Sequence, residues 1–254
     1  KQNRVVLLTD IDGIHSEDYL WYWVDFDRPK QDEIKLLNEK LDFHPLAIED
    51  CIHSIQRPKL DYYDDFNFFV THAIDPDDLS RREHNFFLGD NYIVTFHEKE
   101  SLEIKQVWSR LNNLENPEEW DEYRVFYEIL DKLVDNYFPI IYKIEDELDK
   151  VEVNSTEEPM DVLLDRFFEI RHELLTLRHT INPIRDLFYR MLNSHHLTGI
   201  RDRREYFSDI YDHLIKLSEM ISSNREIAND IRDNYLSLNT HQTNQVMKVL
   251  TIIT

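Results

Sequence analysis

The chain has 254 residues, enough for one large domain or two smaller ones, and a hydrophobic fraction of 41%, enough for a real core. With only 3 glycines and 8 prolines it has too few turn formers for an all-β protein, so long helices are expected. A formal net charge of −22 argues against binding nucleic acid through a basic face, because phosphates would be repelled. The single cysteine, Cys51, excludes an internal disulfide framework and suits a reducing compartment. No run of about 18 apolar residues spans a membrane, and no charged-then-apolar leader opens at Lys1. Charge of this size opposes self-association. An oligomer would need something between its carboxylates, and hard divalent cations, which prefer oxygen ligands, are the obvious candidates. A plain solvated acidic surface has the same composition.

Residues 4–9 and 20–26 are rich in β-branched and aromatic side chains and predict strands. Ile34, Leu37 and Leu41 predict a short amphipathic helix, and Pro45 opens another over 45–52 with proline in its first turn. Residues 66–74, 84–88 and 92–97 read as further strands, with Gly89-Asp90-Asn91 as a hairpin turn between the last two. Ser101 caps a helix that places Ile104, Val107, Trp108 and Leu111 on one face.

The remainder reads as helix. Apolar positions recur at threes and fours from about 120 to 153. Asn154 to Pro159 then break the pattern, and Ser/Thr followed by Glu caps a second long helix over about 157–192. Asn154-Ser155-Thr156 matches a glycosylation acceptor, a match without meaning in a cytosolic chain. After a turn at 193–199, a third helix runs from about 203 to the end. In it Phe207, Ile210, Leu214, Leu217, Ile221, Ala228, Ile231, Tyr235 and Leu238 alternate steps of three and four, with Asn224 in the one polar position, which is a heptad seam. Fifty helical residues measure about 75 Å, more than a compact domain needs. A stalk packed against copies of itself would need such a helix. The expected class is α+β: a mixed region over 1–115, then a long-helix region over 116–254 whose stalk occupies about 203–254.

Asp233, Thr240, Asn244, Met247 and Thr251 form a second stripe on that helix. Around an axis shared by several copies, its oxygens would attract a hydrated cation and its methionines would form a hydrophobic constriction. The outer face of an ordinary helix reads the same way. The chain turns apolar toward Thr254, as a chain continuing into a bilayer would. Two carboxylate pairs, Glu49-Asp50 and Asp209 with Asp212, repel internally and so invite a cation or a basic partner; solvated edges look alike. Glu169-x-x-His172 has di-iron spacing, but its only near match is Asp50-x-x-His53 in the other region. No cysteine pair can hold zinc, and no phosphate loop or nucleophile elbow is present, so nothing supports an enzyme.

Several segments resemble the CorA family of magnesium and cobalt transporters. They are His44-Pro45-Leu46-Ala47-Ile48-Glu49-Asp50 with Gln56-Arg57-Pro58-Lys59, Val134 to Pro139, Glu145 to Asp149, Pro183-Ile184-Arg185, Tyr206 to His213, and Asn244 to Thr251. The resemblance covers almost the whole chain. It implies an N-terminal α/β/α sandwich domain, long antiparallel helices and a very long stalk helix that continues into the membrane as a pore lining. It also implies a pentamer in the cell membrane with this part facing the cytoplasm. Mg²⁺, with Co²⁺ as a further candidate, would bind acidic inter-subunit sites and hold the channel closed. By resemblance those sites are Asp50 and Asp209, with Glu49, Asp131 and Asp212 nearby, and the pore-facing residues are Asp233, Thr240, Asn244, Met247 and Thr251. The transmembrane part, with its Gly-Met-Asn motif, is missing, so this chain alone would not transport. It departs from the family at Asn239-Thr240-His241, where Val-Ser-Asn is frequent, and at Gln245, where Glu is usual. A zinc-transporting relative on the same scaffold and an acidic coiled-coil scaffold protein are the alternatives.

Overall fold

A computed structural model describes residues 5–8, 10–14, 19–53, 56–114, 117–153 and 159–253. They form two compact units that interleave along the chain: Lys1–Tyr137 with Asn182–Ile215, and Phe138–Ile181 with Lys216–Thr254.

The first unit is built on a five-stranded sheet. Its strands are β1 (Tyr22–Asp27), β2 (Lys59–Tyr62), β3 (Asn67–Ile74), β4 (Arg81–Leu88) and β5 (Tyr92–His97), in the order β1-β5-β4-β3-β2. β1 runs parallel to β5 and the other pairs are antiparallel. β3 is buried from Phe68 to Ile74, which explains its nearly unbroken apolar sequence; a strand covered on both faces need not alternate. On one face Phe68, Val70, Phe87, Val94 and Phe96 pack with Leu37, Ala47 and Cys51. These last three belong to helices α2 (Leu36–Glu39) and α3 (Pro45–Ile52), which follow the short α1 (Gln31–Ile34). On the other face Phe69 and Phe86 meet Phe126, and Trp23 meets Trp108 edge-on. Trp108 lies on α4 (Leu102–Asn112) and Phe126 on α5 (Glu122–Asp135). Helices on both faces make this the expected α/β/α arrangement.

The local signals explain most of the boundaries. His44 Nδ1 accepts from the Leu46 N–H at 3.2 Å, with Pro45 as the first helical residue. Asp121 Oδ1 accepts from the Arg124 N–H at 2.8 Å and starts α5. Gly89 opens the β4–β5 turn, where a Cβ would lie 2.2 Å from the Tyr92 ring. Ser101 Oγ accepts from the Ile104 N–H at 3.2 Å and donates to Glu103 at 3.1 Å. Because Ser101 is buried, Ser101→Ala is expected to cost about 1 kcal/mol. A urea midpoint unchanged from the parent chain would refute that role.

Three expectations need correction. Val5 to Leu8 form no strand; Val6, Leu7 and Leu8 are exposed, so their apolar side chains meet no neighbouring strand. Arg4 and Thr9 lie outside the described residues. The helix expected around Ile34, Leu37 and Leu41 is two four-residue helices that end before Leu41, and only Leu37 of the three is fully buried. Asp42 then takes a left-handed φ of 52°. The long helix expected from 120 to 153 is divided at Asn136 into α5 and α6 (Tyr137–Val153). Tyr137, fully buried, donates its hydroxyl hydrogen bond to the His72 carbonyl. β2 went unread; its Lys59-Leu60-Asp61-Tyr62 buries only Leu60.

α7 (Met160–Leu192), α8 (Thr198–Asp202) and α9 (Arg204–Ile253) complete the helices among the described residues. Most of the break expected at 154–159, with its Asn154-Ser155-Thr156, lies outside them. α8 occupies the end of the expected 193–199 turn. In the second unit, Ile141, Ile144, Leu148 and Val151 of α6 are buried with Leu163, Phe167, Ile170, Leu174 and Leu177 of α7 and Leu217, Ile221, Ala228, Ile231 and Tyr235 of α9. Tyr235 donates to the Val151 carbonyl at 3.1 Å and meets Phe167 edge-on. Asn224, 3% exposed, donates to Glu145 at 3.2 Å, which is how one polar residue is tolerated in an apolar seam. The seam itself, from Phe207 to Tyr235, is buried within a single chain. Contrary to the expectation, its burial requires no second copy. Leu238 has no described side chain.

Candidate metal centre

The strongest constellation of ligand-type side chains lies in the first unit, where the end of α5 meets the start of α9. Aromatic contacts set the register: Phe126 and Tyr127 pack on Phe207, and Tyr127 on Tyr206. The Arg124 guanidinium lies over both tyrosine rings. One to two turns further along α5, and two along α9, Asp131 and Asp135 of α5 face His213 of α9. One ligand atom from each of the three lies within 4.8 Å of the other two, and His213 Nδ1 is 3.6 Å from Asp135 Oδ1. Bonds of about 2.1 Å to a common cation would place ligand atoms about 3–4 Å apart, so the group fits one cation with a small closing movement.

The electrostatics point the same way. Both carboxylates occupy the last turns of α5, where the helix dipole disfavours negative charge. Burial, then the charges of Asp135 and Glu128, push the Asp131 carboxyl up to about 6, against the pull of His213; Asp209 adds to the rise. Glu128 is neutralised by Arg110 at 2.6 Å and Arg124 at 2.6 Å, whereas a cation at Asp131 would supply the missing positive charge. Two carboxylate oxygens and one imidazole nitrogen suit borderline cations such as Co²⁺ or Zn²⁺ directly. Mg²⁺, which sheds water reluctantly, would be held through its hydration shell.

Of the residues named from sequence, Asp131 belongs to this cluster and Asp209 lies one turn before His213, exposed and close enough to act on Asp131. Asp212 is exposed beside them. Asp50 is elsewhere, bound to Lys59 at 2.6 Å, and Glu49 is exposed. Asp233 is exposed and paired with Arg232 at 2.8 Å. Thr240 is exposed and donates to the Leu236 carbonyl at 2.8 Å. Met247 is also exposed, while Asn244 and Thr251 lie on α9 with side chains outside the description. The sequence reading missed Asp135 and His213 as ligands. Their signal is two i, i+4 pairs, Asp131/Asp135 and Asp209/His213, each on one helical face, a spacing different from the i, i+3 pairs of a di-iron helix.

Residues 19–254 match the family model of the CorA-like Mg²⁺ transporter protein. The chain belongs to this family, which is one of ion transporters rather than enzymes. It is 44% identical over 243 residues to the putative metal ion transporter YfjQ of Bacillus subtilis, covering 96% of this chain and 76% of that one. It is 30% identical over 230 residues to the cobalt/magnesium transport protein CorA of Thermotoga maritima, covering 88% of this chain and 65% of that one. The complete structure of the CorA magnesium transporter from Methanocaldococcus jannaschii shares the fold, with a TM-score of 0.81 at 22% identity over 95% of this chain and 77% of that one. The chain thus spans about two thirds to three quarters of these relatives. Among the described residues, no helix is long and apolar enough to cross a membrane.

Proposed function

We propose that this chain is the cytoplasm-facing regulatory part of a pentameric divalent-cation channel in the cell membrane, and that it senses Mg²⁺, with Co²⁺ as a further ligand. Its mixed region over 1–115 and long-helix region over 116–254 act together. Acidic sites between subunits, at Asp50 and Asp209 with Glu49, Asp131 and Asp212 nearby, take up cations and favour the closed state. Asp233, Thr240, Asn244, Met247 and Thr251 line the axis. The observation that carries this reading is the grouping of Asp131, Asp135 and His213 beside Asp209, within a chain of net charge −22. Bound cations offset repulsion between acidic copies, and an ion that binds the closed assembly better shifts the population toward it. Asp209→Ala is expected to weaken the protection that Mg²⁺ gives against limited proteolysis. Identical digestion of the parent chain with Mg²⁺ and with chelator would count against a sensor.

His213 favours one variant of this reading. An imidazole ligand suits zinc better than magnesium, which keeps a zinc-transporting relative in play. Uptake of Mg²⁺ against Zn²⁺ by the protein with its membrane segments separates the two.

A further inference from the structure

The sheet contains a second charged device, unrelated to the cation site. His97, at the end of β5, is 1% exposed. Its Nδ1 lies 2.6 Å from the Lys99 carbonyl, and its Nε2 lies 3.2 Å from Asp25 Oδ1 on β1. A carbonyl and a carboxylate are both acceptors. An imidazole can satisfy both only when each ring nitrogen carries a proton, that is, as imidazolium. Asp27 Oδ1, 3.7 Å from Nδ1, adds a second negative group.

The surroundings hold one proton on this ring and keep it off the next. His84 of β4 stacks on His97 with centroids 5.7 Å apart. His84 Nδ1 bonds the Arg82 carbonyl at 3.2 Å, and its buried Nε2 has no partner among the described residues, the pattern of a neutral ring. Burial, then the charge of His97, lower its pKa to about 3. For His97, burial alone would lower the pKa, but the Asp25 bond and charge, the Lys99 carbonyl and Asp27 hold it above the ordinary histidine value. Arg28 binds Asp27 at 2.8 Å, and Lys105 of α4 pairs with Glu100 nearby. Asp25 also accepts from Thr95 Oγ1 at 2.6 Å, and Thr95 Oγ1 accepts from the Trp23 indole at 3.0 Å.

Among the described residues, β1 is an edge strand whose only strand partner is β5. We propose that His97 is a proton-operated clamp: charged, it fastens β1 to the sheet through Asp25 and Asp27, and uncharged, it releases that edge. Because the folded value is raised, the clamp is fully set below the unfolded histidine value of about 6.5. It is lost as pH rises through the higher folded value.

Ring ¹⁵N spectra of the 254-residue chain, recorded between pH 5 and 9, test this. The expected result is a His97 ring with both nitrogens protonated at pH 5 and a midpoint above 6.5, with the Trp23 indole N–H signal moving at that same midpoint. Asp25→Asn is expected to lower the midpoint by about one unit. Asp27→Asn, which leaves the Nε2 bond in place, should lower it less, and covers the case in which Asp25→Asn does not fold. A His97 midpoint at or below 6.5 in the parent chain, or a Trp23 signal indifferent to the titration, overturns the proposal.

Discussion

Phe126→Ala is expected to lower the unfolding free energy of the sheet-bearing unit by about 3–5 kcal/mol. Phe126 is 1% exposed. Its ring touches Phe69 of β3, Phe86 of β4 and Phe207 of α9, at centroid distances of 4.8, 5.1 and 5.9 Å. It therefore joins the sheet to α9 through one residue of α5. Truncation leaves a cavity between a strand pair and two helices, and these elements are too rigidly hydrogen-bonded to close it. Against a typical total of about 5–15 kcal/mol, that loss is large. A urea titration followed by circular dichroism should show a much lower midpoint with the slope retained. The substitution should also loosen the register of α5 on α9, on which the cation cluster depends, so cation binding should weaken with it. A midpoint within experimental error of the parent would mean that α5 does not cover this face.

Residues whose environment resembles that of their sequence neighbours were legible. β3 and β5 are rich in apolar residues and buried along almost their whole length because helices cover the sheet on both sides, and the α9 seam from Phe207 to Tyr235 follows a simple period because that face is buried. Signals failed where neighbours in space are distant in sequence. Lys59 and Asp61 disguise β2, and they belong there because Lys59 bridges Asp50 and Asp61. Residues 5–8 carry strand-forming side chains, but propensity without a partner strand makes no sheet. α5 and α6 divide where Pro139 lacks the N–H that would bond the Asp135 carbonyl, and the buried Tyr137 beside the break bonds the His72 carbonyl of β3. Glu49, Asp50, Asp131 and Asp209 were chosen by resemblance. Asp135 and His213 emerged only once α5 and α9 lay side by side, and the His97 clamp only once β1 lay beside β5.

Cation binding at Asp131, Asp135 and His213 should raise thermal stability strongly at pH 7.5 and weakly at pH 5. The sign follows from Asp131. Its carboxyl titrates near 6 when folded, against 3.8 as reference, so without a cation its ionisation works against folding. That contribution is fully favourable below the unfolded value and is lost as pH rises through the folded one. A bound cation reverses the balance because it requires the ionised form; protons compete with it and its affinity falls below about pH 6. At a hundredfold excess over Kd, stabilisation should reach about 2.7 kcal/mol at the higher pH. Asp131→Asn together with Asp135→Asn should abolish the gain for Co²⁺ and Mg²⁺ alike. His213→Ala should remove most of the Co²⁺ gain, because the imidazole binds that ion directly, and spare more of the Mg²⁺ gain, because water intervenes. Equal losses for both ions would mean that His213 positions the carboxylates rather than ligating. A cation-dependent shift that survives the double asparagine variant would place the cations elsewhere on this acidic surface and remove the basis for assigning the sensor to this corner of the fold.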